Sequence, residues 1–211
     1  CGLGGKGINV SGVLAQLGGE SVALGFIAGE TGAWLERGLA AQGLHTDFIH
    51  LQEGMTRINV KIKAGQETEL NGAGPNIPEA AMQAYEPFLV KPNNHELAEI
   101  VGRELTNDDE IVTAAASLQA QGAHNVLVSM AGDGALLLDE NGTVHRIGCP
   151  KGKVVNSVGA GDSMVAGFMA GYLRTGDYRY ALRLGTACGS ATAFSVGLAT
   201  KADIEKLLRM I

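Results

Sequence analysis

The chain has 211 residues, 45% hydrophobic and 18% charged, with a net charge of −6, enough to bury the core of one domain or of a domain with a small appendage. The acidic balance and the absence of a basic stripe argue against nucleic acid as a partner. No stretch is long and apolar enough to span a membrane, and no signal peptide is visible, so no membrane partner and a cytoplasmic location are expected. The three cysteines, Cys1, Cys149 and Cys188, are far apart and lack metal-binding spacing, so they read as free thiols of a reducing compartment.

Taken in chain order, Ile8–Leu17 predicts a helix stopped by Gly18-Gly19, Ser21–Ala28 a buried strand, and Gly32–Gln42 a helix with Trp34, Leu35 and Leu39 inward. This alternation predicts a parallel sheet flanked by helices. Phe48–Leu51, Thr56–Lys63 and Glu67–Leu70 then read as short strands of a half-exposed antiparallel piece, a lid over about residues 46–70. A helix over Pro78–Tyr85 runs almost straight into a strand at Phe88–Val90, a join too short for a parallel sheet. Helices follow at Asn94–Val101 and Asp108–Gln121, then a buried strand at Asn125–Met130. A hairpin turns through Asn141-Gly142, and three helices near 162–174, 178–194 and 201–210 finish the chain.

The run Val155-Asn156-Ser157-Val158-Gly159-Ala160-Gly161-Asp162-Ser163 carries the most chemistry. Small residues let backbone amides converge at a helix N-terminus, which attracts anions. A carboxylate beside such a hole suits a base that takes a proton from a group attacking the anion, as in phosphoryl transfer to a hydroxyl. The same pattern also describes an ordinary helix cap and a tight turn.

Four further segments each have two readings. Gly4-Gly5-Lys6-Gly7 opens a helix and sets Lys6 and Asn9 one turn apart, for a phosphate and sugar hydroxyls or as a solvated loop. It lacks the preceding strand and following acidic residue of a dinucleotide loop. Arg57, Asn59 and Lys61 share a strand face, a sugar-phosphate surface or the wet side of an edge strand. In Lys91-Pro92-Asn93-Asn94-His95-Glu96, Asn93 and Glu96 are spaced to reach one hydrated Mg²⁺ or to form a capping box, and the two roles are compatible. Ser129-Met130-Ala131-Gly132-Asp133-Gly134 follows a buried strand and is a nucleotide loop or a plain turn. The five histidines show no metal spacing and no evident partner.

In this order the motifs resemble the ribokinase-like (PfkB) family of carbohydrate kinases, over nearly the whole chain. GGKGIN (Gly4–Asn9) resembles its N-terminal substrate signature and VNSVGAGDSMVAGF (Val155–Phe168) its more specific C-terminal one. The resemblance implies a three-layer α/β fold with a mostly parallel central sheet and a small β lid. It implies ATP-dependent phosphorylation of a ketohexose phosphate in the cytoplasm. TRINVKI and VGAGDSMVAGF point to the fructose-1-phosphate branch, with tagatose-6-phosphate and fructose-6-phosphate kinases as alternatives and a non-catalytic sugar-phosphate sensor as a different class. By resemblance Asp162 is the general base and Gly159, Ala160 and Gly161 form the anion hole. Gly4, Gly5, Lys6, Asn9 and Arg57 bind the sugar phosphate, and Lys91, Ser129, Gly132, Gly134 and Gly161 bind the nucleotide. Asn93 and Glu96 organise Mg²⁺, with a monovalent cation as a further candidate, and the helix Thr186–Ser195 borders the adenine. A homodimer through the lid is implied.

Two departures accompany the resemblance. Ala131 stands where the family usually has glycine, adding a methyl that would shift the loop. The family's first strand, with its substrate-binding Asp, and a strand–helix–strand portion at the Tyr85–Glu86 join are not found. The expectation is therefore a chain of roughly 300 residues with segments missing before residue 1 and between 85 and 86.

Overall fold

The computed structural model describes residues 3–64, 66–77 and 87–211, with side chains at all of these except 61–69. The helix expected over Pro78–Tyr85, the Tyr85–Glu86 join, Cys1 and the side chain of Lys61 therefore lie outside the described residues. The chain divides into two compact units, Cys1–Ser11 with Glu20–Tyr85, and Gly12–Gly19 with Glu86–Ile211.

In the first unit, strands β1 (Val22–Ala28) and β2 (His45–Leu51) pair in parallel, from Val22 opposite His45 to Ala28 opposite Leu51. The helix α2 (Gly29–Ala41) is the crossover that parallel strands require. This corrects the expectation that Phe48–Leu51 joins the antiparallel piece. The polar start of β2, His45-Thr46-Asp47, hid three residues of the strand from a hydrophobicity reading. Within α2, Leu39 is fully buried but Trp34 is 45% exposed, against the inward placement expected for it. At 100° per residue Trp34 stands about 140° round the helix from Leu39, off the buried face. Nor is β1 buried on both faces: Ala23 and Ile27 are covered, while Val22 and Leu24 are more than half exposed.

Antiparallel pairing belongs to β3 (Asn59–Ala64) and β4 (Gln66–Asn71), a hairpin with Asn59 opposite Asn71. Ile58, Val60 and Leu70 on and beside it are exposed. The helix α1 (Lys6–Gln16) begins two residues before the expected start, with Asn9 N–H donating to Gly5 O at 2.9 Å.

The second unit holds a four-stranded sheet in the order β5 (Leu89–Val90), β6 (Asn125–Ser129), β7 (Ala135–Leu138), β8 (Val144–Ile147). β5 runs parallel to β6, and the remaining pairs are antiparallel. Strand alternation sends side chains to two faces, and both are covered. Val126, Val128, Leu136 and Leu138 pack with Leu97 of α3 (Asn94–Val101) and with Ile111, Ala114 and Ala115 of α4 (Asp108–Gln119). Leu127, Ala135 and Leu137 pack with Met164 and Phe168 of α5 (Ala160–Thr175) and with Ala181 and Leu182 of α6 (Tyr178–Ala193). Helices on both faces make three layers, and α7 (Lys201–Leu208) closes the chain.

One buried carboxylate ties this sheet's outer hairpin. Asp139 Oδ1 accepts the N–H groups of Asn141 and Thr143, both at 2.9 Å, and Oδ2 lies 2.9 Å from His145 Nε2. Burial pushes the carboxyl pKa up, but the His145 contact and the two backbone N–H groups outweigh it and hold the group below the usual carboxylate range. A depressed folded pKa stabilises the fold above the unfolded value of about 3.9, and that contribution is lost as pH falls through the folded value. Asp139→Asn is expected to lower unfolding stability by about 1–3 kcal/mol at neutral pH, the cost of leaving a buried partner unsatisfied. Urea melts should show the gap between variant and wild type closing below about pH 4. Equal stability at pH 7 would show that the carboxylate is not holding the hairpin.

Candidate active site

The chain leading into α5 is tied down before the helix begins. Val155 and Asn156 N–H both donate to Ala193 O, at 2.8 and 3.1 Å. Asn156 Nδ2 donates to Val196 O at 3.3 Å, and its Oδ1 accepts Val158 N–H at 3.1 Å. Gly159 then takes the N-cap position with φ +81° and ψ −3°, and no side chain caps the helix. A β-carbon at Gly159 would combine this left-handed backbone with a 2.8 Å approach to Leu198 Cδ2. Ala160 N–H donates to Ser157 O at 3.2 Å, and Asp162 lies half-buried in the first turn. The first turn is also braced from inside. Buried Ser163 Oγ lies 2.8 Å from Thr192 Oγ1, which accepts Ala199 N–H at 3.0 Å. The helix therefore presents the positive end of its dipole with a carboxylate on the same turn.

Three residues far apart in sequence meet at this helix start. Lys91, just after β5, donates from Nζ to Oγ of Ser129 at the end of β6, at 3.2 Å. Its Cε and Nζ lie 2.9 and 3.1 Å from where a β-carbon of Gly161 would stand. The glycine thus leaves room for an ammonium beside the α5 N-terminus. A lysine cation and a helix N-terminus attract the same ligand, an anion.

Asn93 and Glu96 are joined as a reciprocal cap. Asn93 Oδ1 accepts Glu96 N–H, and Glu96 Oε2 accepts Asn93 N–H, both at 2.8 Å. Asn93 also bridges Ser129 in parallel, which sets this cap beside Lys91 and Ser129 at the carboxyl ends of β5 and β6. The cap uses one carboxylate oxygen and leaves the second for a hydrated cation. Among the described residues no group of three or more His, Cys, Asp and Glu could hold a metal. This donor set fits Mg²⁺ that keeps its waters and takes further oxygens from phosphate.

Gly132 and Gly134 lie in the β6–β7 connection, whose Ala131–Asp133 form a 3₁₀ turn. Ala131 keeps a positive φ of +47°, so its methyl does not displace the backbone from the left-handed region. A β-carbon at Gly132 would meet nothing within 4 Å, whereas one at Gly134 would overlap Ile147 O.

The sugar-side candidates belong to the first unit. Gly4 and Gly5 precede α1, Lys6 opens it with an exposed side chain, and half-buried Asn9 follows one turn later. Arg57 is exposed in the loop before β3, not on a strand, so the shared strand face predicted for Arg57 and Asn59 is not present. Thr56 sets the backbone there. Its N–H donates to Ala28 O and its Oγ1 accepts Ala28 N–H, both at 2.9 Å, while its carbonyl accepts Thr31 Oγ1 at 2.7 Å. Sequence reasoning missed Thr56, Asn156 and Thr192. The visible signal was a polar residue interrupting an apolar or small-residue run. Three histidines also gain carboxylate neighbours that spacing did not reveal: His50 with Glu36, His124 with Glu140 and His145 with Asp139.

Comparison with known proteins finds a family and relatives over nearly the whole chain. Residues 1–85 and 70–205 match the pfkB family carbohydrate kinase. The 1-phosphofructokinase of Bacillus subtilis (strain 168) is 40% identical over 262 aligned positions, covering 97% of this chain and 86% of the relative. Those 262 positions outnumber the 211 residues here, so stretches of the relative have no counterpart in this chain. The crystal structure of phosphofructokinase-2 from Escherichia coli in complex with potassium has a TM-score of 0.82 at 26% identity, covering 98% of this chain and 87% of that one. Ribokinase of Arabidopsis thaliana, complexed with ribose and ATP, has a TM-score of 0.78 at 19% identity, covering 99% and 88%, and shares the fold. The helix start that carries Gly159, Gly161 and Asp162, and the span and identity of these matches, lead to one conclusion: the chain belongs to the pfkB family of carbohydrate kinases.

Proposed function

We propose that this protein transfers the γ-phosphoryl group of ATP to a hydroxyl of a ketohexose phosphate, converting fructose 1-phosphate to fructose 1,6-bisphosphate. The observation that carries the reading is the α5 start, where Gly159 is left-handed, Asp162 lies on the first turn and Lys91 stands over Gly161. Asp162 accepts the proton of the C6 hydroxyl as its oxygen attacks the γ-phosphorus in line. The bond to the leaving oxygen breaks, and ADP departs. The amides of Gly159 and Gly161 stabilise charge on the transferring group, Lys91 neutralises phosphate oxygens beside them, and the Ala160 amide, expected with them, instead closes the turn onto Ser157 O. Ser129, Gly132 and Gly134 line the nucleotide.

Asn93 and Glu96 would hold Mg²⁺, and the ion, when bound, would offset phosphate charge. A monovalent cation is a further component of this reading, supported by the potassium complex of the Escherichia coli protein. On the sugar side, Gly4 and Gly5 admit the substrate closely, Asn9 bonds its hydroxyls, and Lys6 and Arg57 meet its phosphate. The 1-phosphofructokinase name of the Bacillus subtilis relative supports the position of that phosphate.

The exposed Ile58, Val60 and Leu70 of the β3–β4 hairpin support a lid that pairs two copies into a homodimer. No helix of the described residues is long and apolar enough to cross a membrane, and the protein acts in the cytoplasm. The chain is one kinase domain with a segment missing at Tyr85–Glu86, a reading supported by the 262 aligned positions of the Bacillus subtilis relative against 211 residues here and by the family match falling into two ranges, 1–85 and 70–205.

The test is ADP release with Mg²⁺ on fructose 1-phosphate, fructose 6-phosphate, tagatose 6-phosphate and free fructose. An intact mass is recorded first, because 21.8 kDa would exclude the missing segment. Turnover on fructose 1-phosphate well above the others is expected. Preference for another sugar phosphate would move the substrate and keep the chemistry. No turnover on any of them would overturn the kinase reading in favour of a sensor.

A further inference from the structure

Arg146 on β8 is a residue that no motif singled out, and its guanidinium joins three parts of the second unit. Nη1 donates to Asp133 O at 2.7 Å and to Ile147 O at 2.8 Å, and Nε donates to Asp108 Oδ2 at 2.9 Å. Asp133 ends the 3₁₀ turn of the β6–β7 connection, Ile147 ends β8, and Asp108 begins α4.

The turn it grips is held in an unfavourable backbone state. Ala131 is the one non-glycine residue with positive φ among the described residues. A β-carbon crowds the backbone there, and such conformations persist where the surroundings over-determine them. Around Ala131 the restraints are few: Asp133 N–H donates to Met130 O at 2.9 Å, Gly134 N–H to Ala131 O at 3.2 Å, and Met130 N–H to Gly134 O at 2.8 Å. All three close the turn upon itself. Arg146 ties the turn's last carbonyl to a different strand and, through Asp108, to a helix. A planar fork with several donors can satisfy two carbonyls and a carboxylate together, which a lysine ammonium on a flexible stem does less well.

We propose that Arg146 is a positioning residue for ATP: it clamps the Ala131–Gly134 turn in its left-handed shape so that the exposed Gly132 presents a pre-formed nucleotide surface, with buried Gly134 anchoring the turn against β8. The inference rests on the kinase reading above for the identity of the ligand, and on the clamp geometry alone for the order of the turn.

Kinetics and amide exchange test the two parts separately. Arg146→Ala is expected to raise KM for ATP about 3–10-fold, with the sugar-phosphate KM changed less than about twofold, the pattern of lost nucleotide binding. Arg146→Lys should fall between wild type and alanine. Adding Ala131→Gly to Arg146→Ala should recover a large part of the ATP KM, because glycine adopts positive φ without crowding. A merely structural role would lower the melting temperature without splitting the two KM values or giving this rescue. An unchanged ATP KM in an active Arg146→Ala enzyme, equal rises in both KM values, or no rescue by Ala131→Gly would overturn the proposal. If wild-type protein phosphorylates nothing, the kinase reading fails on its own. The clamp is then read by hydrogen exchange, where faster exchange at residues 131–134 in Arg146→Ala supports it and unchanged exchange refutes it.

Discussion

Asp162→Asn should lower kcat by about 10²–10⁴ while leaving KM for ATP close to wild type, the usual contribution of a general base. The amide keeps the shape of the carboxylate and removes its capacity to take a proton. The variant should fold normally. Asp162 lies in the first turn of α5, where a carboxylate gains about 0.3–1 kcal/mol from the helix dipole. For a chain of this length that is a shift of roughly 1–4 °C in Tm. The braces of the turn, Asn156, Ser163 and Thr192, do not depend on Asp162. A thousandfold loss of turnover with a Tm drop of a few degrees would therefore locate the defect in the chemistry. Wild-type turnover in this variant would remove Asp162 from the mechanism.

Gly134→Ala should be among the most destabilising single-methyl changes available in the chain. Gly134 has φ +93° and ψ −131°, a region essentially closed to residues with a β-carbon. The added carbon would overlap Ile147 O and stand 2.8 Å from two backbone atoms of Gly148, none of which can rotate away. The expected cost is on the order of 3 kcal/mol or more, a fall in Tm of about 10 °C. Gly132→Ala is the matched control two residues earlier. Its β-carbon meets nothing within 4 Å and its φ is not positive, so its Tm should stay within a few degrees of wild type. Similar melting of the two variants would contradict the described β6–β7 turn.

The two glycines also show where reading a sequence stops. In the string Ala131-Gly132-Asp133-Gly134 both looked equivalent, yet one has open space and the other abuts β8. The distinction depends on the register of a strand twelve or more residues later, to which local pattern is blind. Arg146 escaped notice for the same reason. An exposed strand arginine is unremarkable until Asp133, Ile147 and Asp108 are seen around it.

What the sequence determined by itself is local. The α5 start, with its glycines, single carboxylate and apolar helical run, was legible because capping and helical periodicity act over a few residues. The strands β6 and β7, the Asn141-Gly142 turn and the Asn93–Glu96 cap were legible on the same ground. Tertiary structure decided the partnerships. It paired β2 with β1 where polarity had suggested a lid strand, turned Trp34 off the buried face, and moved Arg57 from a strand into a loop pinned by Thr56. It also brought Lys91, Ser129 and Gly161 to one point. Periodicity records which side of an element is apolar; which neighbour covers that side, and which distant polar atoms then meet, is settled only when the elements pack.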